Sequence, residues 1–244
     1  MKKMFLLACT LCLSVCAMAQ TAFYVYQTDG SRVKFTIADV DSISFTVPKA
    51  AIENGHEWVD LGLPSGLKWA TCNVGAYTPE AYGNYYAWGE TESKYYYSGN
   101  SYKFDTGGET FTKYNGTDGK TTLDPEDDAA AVNWGGKWRM PTNDEWGELI
   151  DECAWTWTTL NGVNGYEVKS KTNGNSIFLP AAGCRIGYGS PTNAGNYGYY
   201  SSSSLYPGDP DYPDLAWPVL FGSDYVNRDY ESRYVGQSVR PVVK

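Results

Sequence analysis

Between Gly135 and Ile150 the chain reads GGKWRMPTNDEWGELI, and this stretch limits the fold more than any other. Pro141 can neither donate to a sheet ladder nor sit inside a helix, so it stops the strand before it. Thr142 and Glu145 have the T-x-x-E spacing of a capping box, in which each side chain satisfies a free backbone N–H of the first turn. Trp146, Leu149, Ile150 and Cys153 follow at i, i+3, i+4 and i+7, one apolar stripe facing a core. A second helix is expected from Asp124 as N-cap, with Pro125 at its first position. Glu126, Asp127 and Asp128 fill its first turn, where the helix dipole favours negative charge, and Gly135-Gly136 ends it. These acids could imitate a metal site, but capping accounts for all of them.

The rest of the chain alternates with period two between turn signals. AFYVYQTDGSRVKF reads as two strands around Asp29-Gly30, and VDSISFTV as a third. This β-rich segment, 20–47, is too short to fold without help. Residues 48–54 read as a linker, and the main domain runs over 55–244. EWVDLGL, GLKWATCNV and YGNYYAWGE suggest strands. WTWTT, YEVKS, SIFLP, GYYSSSS, LAWPVLF and SVRPVV suggest more, with turns at Asn161-Gly162, Asn164-Gly165 and Asn173-Gly174. The expected class is α+β, with two helices on a mostly antiparallel sheet.

Lys2 and Lys3, the apolar run Met4–Val15 and the small-x-small Ala17-Met18-Ala19 form a signal peptide over 1–19. The run is too short to cross a bilayer as an anchor. Lipid attachment at Cys16 is the rival reading, against which stands the bulky Val15. No later apolar run is long enough to span a membrane, so an exported mature chain is expected in the periplasm, at the cell surface or secreted. The net charge is −9, and −11 once Lys2 and Lys3 are removed. That excludes a nucleic-acid footprint, which must be basic. Cys72, Cys153 and Cys184 remain after the signal, an odd number that leaves at least one thiol unpaired. Buried inert thiols and a single bridge are both open.

Little in the sequence points to catalysis. The only histidine is His56, and at a domain start it reads as structural. Asp144 and Glu145 could pass for a glycosidase pair, but they stand in a helix's first turn. Walker, G-x-G-x-x-G and H-E-x-x-H motifs are lacking. Asp209, Asp211 and Asp214 in GDPDYPD are hard oxygen ligands of the kind calcium takes. A solvated acidic loop is the plainer reading, so no cofactor is expected and calcium is the minor alternative.

HEWVDLGLPSGLKWATCNVGA, YGNYYAWGETE, LDPEDDAAAVNWGGKWRMPTNDEWGELI, NGVNGYEVKSKTNGNSIFLPAAGCR and VGQSVRPV follow in order. Together they resemble the Fibrobacter succinogenes major paralogous domain family of Bacteroides-type bacteria, over about 55–244. DGSRVKFTIADVDSISF resembles a short leader of exported proteins in those bacteria. The resemblance implies a C-type-lectin-like fold, similar to that of the formylglycine-generating enzymes, with two helices on a twisted sheet. It also makes Cys72 and Cys153 the candidates for a bridge and Cys184 the free thiol. The family's usual tryptophan in GYYWSSS is replaced by Ser201, which implies a missing packing anchor. Formylglycine-generating enzymes hold copper with a late cysteine pair, and no cysteine follows Cys184. The lectin motifs E-P-N, Q-P-D and W-N-D are lacking too.

Eight of the nine tryptophans lie between Trp58 and Trp157, while nine tyrosines fall between Tyr188 and Tyr234 among Asn, Ser, Gly and Asp. Tryptophan is the expected core filler of the first part. The later mixture has the composition of a paratope, rigid amphipathic rings among adaptable polar residues. It is equally the composition of turns and strands. The expectation is a non-catalytic binding module that recognises a glycan, or a host or bacterial surface protein, through late loops. Its candidate residues are Tyr199, Tyr200, Tyr206, Asp209, Asp211, Trp217, Asn227, Arg228 and Tyr230. Arg185, Arg233 and Arg240 are expected to pair with carboxylates where loops meet the sheet. The alternatives are a structural cell-envelope or adhesin component, in which 22–47 lends strands to an assembly, and a degenerate formylglycine-generating-type enzyme.

Overall fold

The computed structural model describes residues 22–26, 32–39, 51–106, 110–206 and 214–244. The signal peptide, the Asp29-Gly30 turn, the VDSISFTV strand, Asp209 and Asp211 lie outside these residues. The chain divides into two compact units, Met1–Lys49 and Ala50–Lys244.

In the first unit, β1 (Ala22–Tyr26) and β2 (Arg32–Thr36) pair antiparallel from Ala22↔Thr36 to Tyr26↔Arg32. Val25, Val33, Phe35 and Ile37 are exposed. A lone hairpin of this length is marginal in water.

The second unit begins with β3 (Ala51–Glu53), β4 (His56–Asp60) and β5 (Lys68–Ala70). The linker expected over 48–54 is corrected here, because Ala51–Glu53 is a strand paired with β4. Asn54 and Gly55 take φ of 44° and 83° in the tight turn between them. Asn-Gly is a strong hairpin signal, overlooked among the polar residues around it. YGNYYAWGE is not a strand either, and its only bridge is Tyr86↔Gln237. Tyr85, Tyr86, Ala87 and Trp88 are all buried, so this segment has protein on both sides.

The first helix is shorter than expected. Pro125–Asp127 forms a 3-10 turn, and α1 is Ala129–Trp134. Its cap is Asp128 rather than Asp124: Oδ1 accepts the Ala130 and Ala131 N–H groups, both at 2.9 Å. Oδ2 accepts the Met140 N–H at 2.8 Å, which ties the helix start to the segment before Pro141. The second helix, α2 (Asn143–Glu152), starts as read, with Thr142 and Glu145 forming a capping box. Trp146 and Leu149 are fully buried, worth about 1.5–3 kcal/mol for a side chain of leucine size. Cys153 is the first residue of a strand, not the last of the helix stripe.

That strand is β6 (Cys153–Leu160). It forms a meander with β7 (Val163–Ser170) and β8 (Ser176–Pro180). Asn161 and Gly162 turn the first hairpin with φ of 49° and 84°, as expected. Asn164-Gly165 is not a turn, because both residues lie within β7. Gly165 serves close approach: a Cβ there would stand 2.3 Å from the Leu179 carbonyl oxygen and 2.7 Å from the Phe178 ring.

The last sheet comprises β9 (Gly198–Leu205), β10 (Leu215–Gly222), β11 (Tyr225–Arg228) and β12 (Glu231–Ser232), with β9, β11 and β12 all paired to β10. The short β13 (Val242–Val243) returns to β5, so the sheet order there is β13-β5-β4-β3. Among the described residues every strand-to-strand ladder is antiparallel. The class is therefore α+β, two helices with mostly antiparallel sheet.

Two cores hold the unit. One gathers Tyr86, Trp88, Tyr97, Tyr102, Tyr114 and Trp138 against α1. The other packs Trp69, Leu149, Val168, Tyr200 and Phe221 around Trp146, whose ring lies 4.7 Å from that of Trp69.

Candidate functional site

Tyr206, Trp217 and Tyr230 are far apart in sequence and meet at one place in the fold. The Tyr206 and Trp217 rings are 4.8 Å apart and nearly edge to face at 66°; Tyr206 and Tyr230 are 5.1 Å apart at 40°. The backbone places each ring. The Tyr206 N–H donates to the Leu215 carbonyl at 3.3 Å, just past the Leu205↔Ala216 pair of β9 and β10. Trp217 stands at the irregularity of β10 where the register with β9 shifts between Ala216 and Pro218, and it belongs to neither core, although Val219 and Phe221 enter the second. Its ring meets Tyr206 instead. Tyr230 sits between β11 and β12, where the Asp229 N–H donates to the Pro218 carbonyl at 3.1 Å. Its ring is 54% exposed, so the cluster has an open face.

Acidic groups border this surface. Asp214 Oδ2 accepts from the Ser232 hydroxyl at 3.1 Å, and Glu231 Oε1 accepts the Ser232 N–H at 2.9 Å. Burial pushes the Glu231 carboxyl above its ordinary range, and Asp229 and Asp214 push it the same way. Stacking on apolar ring faces and acceptance of hydroxyl or amine protons are what this arrangement can do.

The other candidates fall elsewhere. Tyr200 is corrected outright. It is fully buried in the second core, stacks on Phe221 at 5.6 Å, and donates its hydroxyl to the Pro180 carbonyl at 2.9 Å. Its neighbour Tyr199 points the other way and is half-buried, its hydroxyl accepting from the Asn193 amide at 3.4 Å. Asn227 and Arg228 are exposed on β11, and Arg228 is drawn to α2 through the Asn143 carbonyl at 3.3 Å and Asp144 at 3.6 Å. The bridge between Cys72 and Cys153 is absent: both are free thiols, as is Cys184. Cys153 faces the second core from the start of β6, whereas Cys72 is partly exposed beyond β5.

The three arginines are structural, but their partners are not the carboxylates expected. Arg240 donates to Asn73 Oδ1 and to the carbonyls of Ala70, Thr71 and Phe178. Arg185 donates to the Gly189 carbonyl and lies over the Tyr85 ring. Arg233 donates to the Tyr114 carbonyl and packs on Phe111 and Trp88. The chain meets these guanidiniums with carbonyl and amide oxygens and with ring faces, and it leaves Nε and Nη1 of Arg233 buried without a hydrogen-bond partner; sequence charge patterns reveal none of this. Ser201 also differs from the tryptophan implied there: it is buried, bonded to Gln237 at 2.9 Å, and borders a cavity of about 10 Å³ shared with Arg233.

Asp124, Glu126 and Asp127 are the acids whose oxygens converge among the described residues, all within 4.8 Å of one another. They do not cap. Lys113 reaches all three at 2.6, 3.2 and 2.5 Å, and Lys103 adds a contact to Asp127 at 2.5 Å. Lysine ammoniums hold the position a cation would take. His56 lies flat on Trp134 at 3.8 Å, and burial lowers its pKa.

Sequence reading missed Glu231 and the exposed Tyr95, and it counted the exposed Tyr188 in the tyrosine-rich stretch without making it a candidate. A signal for Tyr95 was present in the run Tyr95-Tyr96-Tyr97, of which only Tyr97 is buried. Among the described residues, no helix is long and apolar enough to cross a membrane. No protein-family model, curated protein or solved structure matches this chain.

Proposed function

We propose that the chain is an exported, non-catalytic binding module whose main domain is C-type-lectin-like and belongs with the major paralogous domain family it resembles. Its ligand is a glycan, taken on the Tyr206–Trp217–Tyr230 surface. The observation that carries this reading is the meeting of these three rings around an open face at the end of a packed sheet. A pyranose presents a C–H face to such rings, and its hydroxyls can donate to Asp214, Asp229 and Glu231. Rings fixed by strand ends lose little freedom on binding.

The test uses residues 20–244 on glycan and host-protein arrays, with calcium and with chelator. Truncating a central aromatic anchor costs about 2 kcal/mol or more, about thirtyfold in Kd. Trp217→Ala and Tyr230→Ala should each weaken glycan binding on that scale. Equal binding by wild type and the double variant would refute the assignment of the surface, and signal on protein spots alone would move the ligand class to protein.

A structural envelope role has one observation in its favour, the exposed Val25, Val33, Phe35 and Ile37 of the hairpin unit. In that case removing residues 22–39 changes the sedimentation of the protein with concentration; unchanged sedimentation discards it.

A further inference from the structure

A second group of tyrosines stands on a different part of the unit. Tyr96 and Tyr188 overlap face to face, with centroids 4.1 Å apart and planes within 22°. Tyr95 lies 5.4 Å from Tyr188 at 52°. Tyr95 and Tyr188 are 73% and 68% exposed. One face of Tyr188 is covered by Tyr96, so that exposure leaves its outer face open beside the tilted ring of Tyr95.

The backing of these rings is fixed. Tyr97 and Gly187 exchange backbone hydrogen bonds of 3.1 and 2.7 Å, which locks the two loops that carry the tyrosines. Arg185 Nη1 donates to the Gly189 carbonyl at 2.9 Å and so holds the turn on both sides of Tyr188. The Tyr97 hydroxyl donates to the Tyr85 carbonyl at 2.6 Å and anchors the other loop in the first core. Exposed rings on a rigid base have already lost the freedom that binding would otherwise take.

Charge decides the ligand class. The cations beside the rings are engaged: Lys94 with Glu90 at 2.7 Å and the Ser101 carbonyl at 2.9 Å, Arg185 with Gly189 and the Tyr85 ring. Lys94 is neutralised by Glu90, and Arg185, which keeps its charge, is held on the Gly189 carbonyl and over the Tyr85 ring. What remains is hydrocarbon ring face edged with phenol hydroxyls, which suits an uncharged, polyhydroxylated ring.

We propose that Tyr95, Tyr96 and Tyr188 form a second carbohydrate site, which stacks a neutral pyranose. It does not depend on the Tyr206–Trp217–Tyr230 surface, and its test separates the two. The probes are native gels containing laminarin, xyloglucan, galactomannan or amylopectin, with polygalacturonate as the anionic control. At least one neutral polysaccharide retards the wild-type protein, and Y95A/Y188A binds it at least about tenfold more weakly. W217A/Y230A retains this contribution, and Y188F, which keeps the ring, retains most of the binding. Unchanged melting temperatures exclude a folding defect at these exposed positions. Retardation by none of the neutral polysaccharides, equal retardation of Y95A/Y188A and wild type, or retardation by polygalacturonate alone overturns the proposal. Loss in W217A/Y230A with none in Y95A/Y188A upholds the first surface and removes this one; the reverse result removes the first.

Discussion

Arg240→Met probes how the main unit is held together. The guanidinium is fully buried, and burial lowers its pKa. Its donors reach Asn73 Oδ1 at 2.9 Å, the Ala70 and Thr71 carbonyls at 3.1 Å each, and the Phe178 carbonyl at 2.9 Å. It thus ties β5, the segment after it and β8 to the returning C-terminal strand. Methionine fills similar volume but donates nothing. Each acceptor left without a replacement costs about 1–3 kcal/mol. Relief from burying an ion returns several kcal/mol. With four acceptors stranded, the net loss comes to about 3 kcal/mol. A unit of this size shifts by about 2–4 °C per kcal/mol, so the melting temperature should fall by about 6–12 °C. Arg240→Lys should fall nearly as far, because one ammonium cannot span four acceptors in a fixed fork. Thermal and urea melts of the three proteins decide it. If Arg240→Met melts at or above the wild-type temperature, the guanidinium is dispensable and the reasoning fails.

Tyr200→Phe should cost about 1 kcal/mol, because the Pro180 carbonyl keeps a second donor in the Ala182 N–H. Tyr200→Ala should cost about 3–5 kcal/mol, and neither should alter ligand affinity in protein that remains folded; a binding loss without a stability loss would return Tyr200 to the site. Burial raises the Glu145 carboxyl, but Arg139 at 2.5 and 2.7 Å and the Thr142 N–H at 2.8 Å outweigh it and hold the pKa below its ordinary value. The stabilisation is therefore complete above the unfolded carboxyl pKa of about 4.3 and is lost as pH falls through the lower folded value. Glu145→Gln should flatten that acid limb in melts taken from pH 6 to 3, and an unchanged limb would contradict it. Burial pushes the Cys153 and Cys184 thiols up to about 11. Native protein at pH 8 should therefore lose only Cys72 quickly to a thiol reagent, with all three reacting after unfolding; rapid labelling of Cys153 would show the start of β6 to be open.

Local chemistry was legible in the sequence, and distant chemistry was not. The Thr142–Glu145 box, the Asn161-Gly162 turn and the Asn173-Gly174 hairpin depend on neighbours within a few residues, and each was readable. Asp124 and Asp128 both satisfy the rules for a cap. The choice fell to Asp128 because its second oxygen also serves Met140, twelve residues on. Gly165 looks like a turn residue until Leu179 and Phe178 are brought against it. The arginines show the same limit, since charge counting looks for carboxylates and the fold supplied carbonyls and rings. Of the seven candidate ligand residues among the described residues three converge, and they do so because β9, β10 and the β11–β12 connection bring them together, which no local pattern encodes.

Tyrosine makes the difficulty plain, because the same residue builds both the frame and the faces. Buried tyrosines give their hydroxyls to fixed acceptors: Tyr85 to the Ala182 carbonyl at 2.6 Å, Tyr97 to Tyr85 at 2.6 Å, Tyr102 to Trp88 at 2.8 Å, Tyr114 to Asp127 at 2.7 Å. A buried phenol must find such a partner, and finding it pins the loop that carries the acceptor. Burial accordingly raises the pKa of all four. Tyr95 and Tyr188 lie in loops held through Tyr97 and turn their rings outward, as Tyr230 does from its own connection. The Tyr97 hydroxyl holds the loop that presents Tyr95, and the Tyr97 backbone holds the loop that presents Tyr188. Tyr97→Phe therefore removes no exposed ring, yet it should loosen the second tyrosine cluster while leaving the Tyr206–Trp217–Tyr230 surface in place. The abundance of tyrosine thus has two physical causes, and the destination of each hydroxyl tells them apart.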